Sequence, residues 1–326
     1  MTVVNESRTF GVEIEFKNSS HRLSVIADKI DIALKVEFPE QGCTNPQYNH
    51  RTLRTWKIVT DASVQRGGEL VSPPLPATQK SFRQIEIVTK VLRDMGSTVD
   101  SRCGLHVHQD ANDLSVRQVG HVVGMYSSFQ TLINYGLSPS RRRTSGFTKI
   151  ENYKDIPMVS RNAKYWNKSK DNHLATLEIQ HLKSKLKRNN DRYKAVNLQS
   201  LGRYGTIEFR QHQGTLNAKK IQTWILVTQA LIERFVQHPI TWTESTEVRN
   251  EKGLVYKKGE WRRFVQTLSV ALSQSEYNRF PSTAKHENPE LALVYTNAFK
   301  DFYKTIKRFM RQENISMSQV FSTTIE

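Results

Sequence analysis

Three separated stretches of the chain, residues 10–16 (FGVEIEF), 104–108 (GLHVH) and 205–212 (GTIEFRQH), alternate apolar with polar or charged residues. Strand side chains point to opposite faces in turn, so each stretch is predicted to be a strand with one buried face and one polar face. In the first, Phe10, Val12, Ile14 and Phe16 turn inward and leave Glu13 and Glu15 together. In the second, Leu105 and Val107 oppose His106 and His108. In the third, Ile207, Phe209 and Gln211 lie behind Thr206, Glu208, Arg210 and His212. Strands that must hide one face need a layer to cover it. Such a layer is available in several segments whose apolar residues recur at helical spacing.

Leu23, Ile26, Ala27, Ile30 and Leu34 predict one helix. Phe82, Ile85, Val88, Leu92 and Met95, ended by Gly96, predict another. A third runs from Val116 to Ile133 and breaks at Ser138-Pro139-Ser140, and a fourth, strongly amphipathic, carries Ile221, Trp224, Ile225, Thr228, Leu231, Ile232 and Phe235. Trp56 to Asp61 and Glu69 to Ser72 read as a hairpin around Ser63, Gly67 and Gly68, closed by Pro73-Pro74. Elements of unequal length without regular strand-helix-strand units predict an α+β fold, an antiparallel or mixed sheet with helices packed against it. Residues 140–190 are polar, basic and weakly periodic, and read as a functional loop or mobile lid. Residues 241–260 read as a charged surface connection, followed by helices around 261–272 and 289–310.

The polar faces carry the chemistry. Glu13 and Glu15 sit two positions apart on one face, where their carboxylates repel unless a proton or cation lies between them, and oxygen donors of this kind suit Mg²⁺ or Mn²⁺. His106 and His108 have the spacing of imidazoles that reach one metal centre or two adjacent ones. Glu208 is suited to a cation and Arg210, with its planar fork, to a phosphate. Glu69 adds a carboxylate after Gly67-Gly68, and Asp61 with Ser63 ends the preceding strand. A single zinc needs fewer acids, whereas hard cations bridging ATP phosphates use this set well. Neither a G-x-x-x-x-G-K-[ST] loop nor a G-x-G-x-x-G segment occurs, so ATP would be held outside the P-loop and kinase schemes.

Composition narrows the remaining classes. The chain of 326 residues is 37% hydrophobic and has 14 Phe, 11 Tyr and five Trp, enough for a sizeable core. No apolar run approaches the ~20 residues of a membrane span. The start of the sequence lacks the pattern of a secretory signal, and the two cysteines, Cys43 and Cys103, stand outside any CxxC. These features predict a cytoplasmic protein without a disulfide framework or membrane partner. The formal charge of +17 attracts anions, nucleic acid among them.

Six segments in this order resemble the amidoligase family, a branch of the glutamine synthetase-like carboxylate-amine ligases. They are residues 10–15, 56–63, 68–74, 103–108, 192–198 (RYKAVNL) and 205–215 (GTIEFRQHQGT). The resemblance implies a glutamine synthetase-like sheet that forms the active site of an ATP-dependent ligase. Such an enzyme phosphorylates a carboxylate and lets an amine displace the phosphate, leaving an isopeptide-like amide. It further implies Glu13, Glu15, Glu69, His106, His108 and Glu208 as ligands of Mg²⁺ or Mn²⁺, and Arg210 on the transferred phosphoryl group, with Glu208 counted in the catalytic set. Arg143 or Arg192 would assist Arg210, Asn197 would touch nucleotide or substrate, and Asp61 would accept the proton of the attacking amine. Ala62 stands where the family's Asp-Gly-Ser element has glycine. The expected division is a catalytic core over 1–240, including the basic loop, and a helical C-terminal extension over 241–326. The partners would be a carboxylate and an amine borne by an amino acid, polyamine or peptide, with a nucleic-acid-linked substrate consistent with the basic charge. Competing readings are a metal-dependent hydrolase built on the H-x-H strand and a non-catalytic nucleic-acid-binding protein, the latter leaving the aligned acids unexplained.

Overall fold

The computed structural model describes residues 7–46, 49, 51–141, 194–237, 247–249 and 255–257, together with 304, 305, 308 and 311. The helix expected over 261–272, most of that expected over 289–310, of which residues 304, 305 and 308 are described and helical, Arg143, Arg192 and nearly all of the 140–190 segment lie outside the described residues.

A sheet of eight strands organises the core. In chain order its strands are β1 (Thr9–Lys17), β2 (Cys43–Thr44), β3 (Trp56–Val59), β4 (Gly67–Val71), β5 (Leu75–Pro76), β6 (Gly104–Asp110), β7 (Val196–Asn197) and β8 (Thr206–Gln213). The spatial order is β2-β3-β4-β1-β6-β8-β7, with β5 pairing to the start of β1. All pairs are antiparallel except β2 with β3, so the sheet is mixed. The three alternating stretches become the adjacent central strands β1, β6 and β8, and the expected hairpin is β3–β4.

Four long helices cover the apolar face. They are α1 (Leu23–Glu37), α2 (Gln79–Asp94), α3 (Val116–Tyr135) and, after the short α4 (Gln199–Tyr204), α5 (Ala218–Gln237). Each follows the predicted periodicity. Ile26, Ala27, Ile30 and Leu34 of α1 and Phe82, Ile85, Val88 and Leu92 of α2 are buried. Thr78 caps α2 through its hydroxyl, and Gly96, at φ 75°, follows its end in the left-handed region that glycine tolerates. Phe10 stacks on Phe82 at 6.1 Å between ring centroids, and Phe209 meets Tyr126 at 5.5 Å. Gln109 donates to the Ile225 carbonyl and Thr228 hydroxyl of α5, pinning the end of β6 to that helix. One hydrophobic core therefore joins the back of the sheet to all the long helices, while the opposite face is left to polar residues.

Two expectations need correction. Residues 241–260 are not a plain connection, because Glu247–Arg249 pairs with Val255–Lys257 as an antiparallel two-stranded ribbon. His212 does not join the polar face. The β6–β8 register shifts between Leu105–His212 and Val107–Phe209, so two residues of β8, Arg210 and Gln211, oppose His106 alone. This bulge reverses the alternation. Gln211 accepts from the Tyr126 hydroxyl at 2.7 Å, and His212 packs on Trp224 of α5, 5.4 Å between centroids, with Nδ1 2.6 Å from the Gln213 carbonyl.

Burial pulls His212 down from 6.5 to about 4, so it stays neutral in the fold while an unfolded chain protonates it. Its contribution to stability is complete above the unfolded value and is lost as pH falls toward the folded one. Wild-type protein in metal-free buffer is expected to lose about 3 kcal/mol through this group between pH 7 and pH 4. In His212→Gln, denaturant unfolding at the two pH values should show a correspondingly smaller decrease.

Candidate active site

The polar face gains its order from strand register. Glu13 of β1 lies directly across from His106 of β6, His108 across from Glu208 of β8, and Glu15 across from Glu69 of β4. Cross-strand neighbours on one face are close enough for their side chains to meet. The predicted residues consequently converge, although they come from four strands spread over two hundred positions.

His106 Nδ1 is 3.0 Å from one oxygen of Glu13 and 3.7 Å from Glu208, and its Nε2 is 3.7 Å from Glu15. His108 Nε2 is 3.3 Å from the other Glu13 oxygen, and its Nδ1 lies 3.0 Å from the Thr206 hydroxyl. The Gly104 amide donates to Glu15 at 2.7 Å. Asn197 on β7 donates to Glu208 at 2.6 Å, and Arg210 donates to the second Glu208 oxygen. Glu208 is thus fixed from both sides. Asn197, expected to touch nucleotide or substrate, borders the cavity and donates its amide to that carboxylate.

Three donor groups follow, each with ligand atoms within 4.8 Å of one another: Glu13, Glu69 and His106; Glu13, His108 and Glu208; Glu15, Asp61 and Glu69. Glu13 and Glu69 each belong to two groups, an arrangement suited to neighbouring hard cations with shared carboxylates. All six expected metal ligands are included. Asp61 is added, although Ser63 already donates to it through both its amide and its hydroxyl, at 2.6 and 2.5 Å.

The charges do not balance evenly. Burial opposes ionisation of Glu13, but His108 and His106 outweigh it and hold its carboxyl well below the usual carboxylate range. Glu69 goes the other way, raised well above that range by burial and by Glu13, Glu15 and Asp61. For His108, burial favours the neutral ring, yet Glu208 and Glu13 raise its pKa. Arg210 Nε is buried without a hydrogen-bond partner, while His108 Nε2 has only the Glu13 oxygen at 3.3 Å. An acid-rich floor with crowded carboxylates and an orphaned guanidinium nitrogen fits a divalent cation carrying an anionic ligand.

The floor lies in a cavity of about 1120 Å³, above the ~300–1,000 Å³ common for a single small-molecule site. Gly11 leaves part of the floor bare. A Cβ there would meet only His108 Cβ at 3.7 Å and Ser72 Oγ at 3.9 Å, ordinary contacts, so packing alone does not require glycine. At the α4–β8 turn the requirement is different: Gly205 has φ 72°, and a Cβ would lie 2.2 Å from Asn112.

Lys57 and Arg141 are among the cations lining this cavity that the sequence reading did not assign to the site. Lys57 projects from β3 between buried Trp56 and Ile58, a position its alternation could have revealed, and donates to the Asn49 and Arg51 carbonyls at 2.8 and 2.7 Å. Arg141 follows the Pro139 turn and carries no local signal of the strands it approaches.

With this geometry in place, the sequence matches a family model described as "Putative amidoligase enzyme" over residues 6–232, well over half of the chain. The chain belongs to this amidoligase family. The matched region contains all six segments that carried the resemblance. A search of curated proteins gives no match. Among solved structures, the crystal structure of the complex between prokaryotic ubiquitin-like protein Pup and its ligase PafA is similar, with 10% identity and a TM-score of 0.38. That comparison covers 98% of this chain and 68% of the other. No described helix is long and apolar enough to cross a membrane.

Glu69→Gln removes the carboxylate most crowded by like charge. The metal-free variant is expected to be as stable as wild type or more so, by up to about 1 kcal/mol. Millimolar Mg²⁺ or Mn²⁺ is expected to raise the Tm of wild type, followed by differential scanning fluorimetry, and the variant is expected to lose most of that rise.

Proposed function

We propose that this amidoligase-family chain is an ATP-dependent carboxylate-amine ligase that forms an isopeptide-like amide through an acyl phosphate. The observation that carries the reading is the set of three overlapping donor groups on one sheet face, sharing Glu13 and Glu69 and bordered by Arg210. Under this reading the sheet is glutamine synthetase-like, residues 1–240 form the catalytic core and 241–326 a helical extension.

Glu13, Glu15, Glu69, His106, His108 and Glu208 would hold Mg²⁺ or Mn²⁺. When bound, the cations would supply neutralising charge to the phosphates of ATP. The side chains of the chain itself account for the remaining demands. A carboxylate is a poor electrophile, and phosphorylation gives its carbonyl a leaving group. Arg210, fixed by Glu208 and partly buried, presents a permanent positive charge where negative charge collects during phosphoryl transfer. The amine must attack as the neutral base, and under this reading Asp61 on the cavity wall takes its proton; Ser63 holds one of its oxygens and so limits the rotation of the group. Arg143 or Arg192 is proposed to assist Arg210, and Asn197, beside Glu208, to touch nucleotide or substrate. The size of the cavity accommodates a nucleotide and an acyl acceptor together, as the displacement requires.

The test is incubation with Mg²⁺, ATP and pools of amino acids, polyamines and peptides, with nucleotide and product mass followed together. ADP with an amide product is expected. AMP with pyrophosphate would indicate adenylation, and hydrolysis without ATP would favour the metal-dependent hydrolase. Steeply salt-dependent nucleic-acid binding that survives Glu13→Gln and Glu208→Gln, without nucleotide turnover, would favour the binding protein. On the ligase reading, Arg210→Ala lowers kcat by about 100-fold or more. Gly11→Ala leaves thermal stability equal or higher by up to about 1 kcal/mol, yet raises the KM for ATP because the added methyl occupies the open floor. Unchanged KM values for every substrate would show that the space is not used.

A further inference from the structure

Arg141 ends the single turn Pro139–Arg141 that follows α3. Only 5% of it is exposed, and it borders the same cavity as the acidic floor. Its Nη2 donates to the Cys103 carbonyl at 2.5 Å and lies 3.4 Å from that of Arg102. Its Nε is buried and has no hydrogen-bond partner. Among the described residues no carboxylate comes within 4.0 Å of the guanidinium, the distance that defines an ion pair.

A guanidinium does not shed its proton in a protein, so Arg141 brings a full charge into a desolvated place. Carbonyl oxygens satisfy some of its donors but supply no counter-charge, and Glu15 attracts it only from beyond ion-pair distance, so a costly buried charge is left without a direct partner. The position of Arg141 indicates where the missing anion belongs. A Cβ placed on Gly104 would lie 3.6 Å from Arg141 Nη2 and 2.9 Å from His106 Nε2, and the Gly104 amide itself holds Glu15. Arg141, His106 and Glu15 therefore meet over one residue, at the Glu15 end of the floor. Arg210, across from His106 in the bulge, also has a buried Nε without a partner.

We propose that Arg141 is a second anion-binding residue of the site, which with Arg210 holds the oxygens of the phosphoryl group passing from nucleotide to carboxylate. This assignment rests on the ligase reading for the identity of the group. The residue lies two positions before Arg143, to which the family resemblance gave an assisting role. The alternative is a cation that only ties the turn to the Cys103 carbonyl.

Inorganic tripolyphosphate with Mg²⁺ separates the two without any knowledge of the acid or amine. Calorimetric titration is expected to show binding to wild type and at least 10-fold weaker binding to Arg141→Lys, which keeps the charge but loses the fork. Glutarate, titrated as a plain dicarboxylate, should bind both proteins alike; a loss confined to glutarate would assign Arg141 to the carboxylate substrate and overturn the proposal. Equal tripolyphosphate affinity in a folded variant, or no binding to wild type, would also overturn it. Should the variant fail to fold, NMR of wild-type protein labelled with ¹⁵N-arginine decides: two buried Nε–H signals should shift on adding tripolyphosphate, and a shift of one or none rejects the assignment. Failure of the ligase reading is read separately. Tripolyphosphate binding that depends on Arg141, in a protein that consumes ATP with no substrate pool, leaves the anion site standing, whereas ATP turnover with unchanged binding in Arg141→Lys removes the anion site alone.

Discussion

Repulsion among carboxylates on a single sheet face is the constraint to which the rest of the structure answers. Glu13, Glu15, Glu69 and Glu208 project from three strands into one volume, with Asp61 at its edge. A flexible scaffold would relieve such crowding by moving apart. Here it cannot, because the same strands are fastened from behind by Phe10, Val12, Ile14, Leu105, Val107 and Phe209, all within the core. Packing energy thus holds in place an electrostatic arrangement that is unfavourable by itself, as expected of a site prepared for cations.

The compensation is uneven, and the unevenness gives the site its direction. Histidines gather about Glu13, and Asn197 and Arg210 clamp Glu208, whereas Glu69 is surrounded mostly by other acids. The acidic centre is flanked by cations on opposite sides, Lys57 from β3 and Arg210 from β8, with Arg141 approaching from the turn after α3. A polyanionic substrate would find positive charge at the margins and demand metal at the centre.

Much of this was legible in the sequence because the chemistry is written on regular strands. The alternation in residues 10–16 separates core from site without reference to any other part of the chain, and it predicts β1 and the orientation of Glu13 and Glu15. The same rule misplaced His212, since it assumes an unbroken ladder and the extra residue at Arg210–Gln211 breaks it. The two-residue strands β2, β5 and β7 are too short to show a period, so the partner of Glu208 on β7 was recognisable only through the family resemblance. Arg141 opens the basic 140–190 stretch that the sequence marks as a functional loop, but its place beside Gly104 could not be read there, because that relation is purely tertiary.

The alternation of β1 also has a genetic meaning. Adjacent codons in this strand answer to different demands: Ile14 belongs to the core that lets the chain fold, and Glu13 and Glu15 to the face that the folded chain presents. A lesion at Ile14 would deplete the folded protein, while a lesion beside it would leave an abundant chain whose polar face alone is changed. Neighbouring mutations in this strand are therefore expected to differ in kind, one altering the amount of protein and the next its surface chemistry.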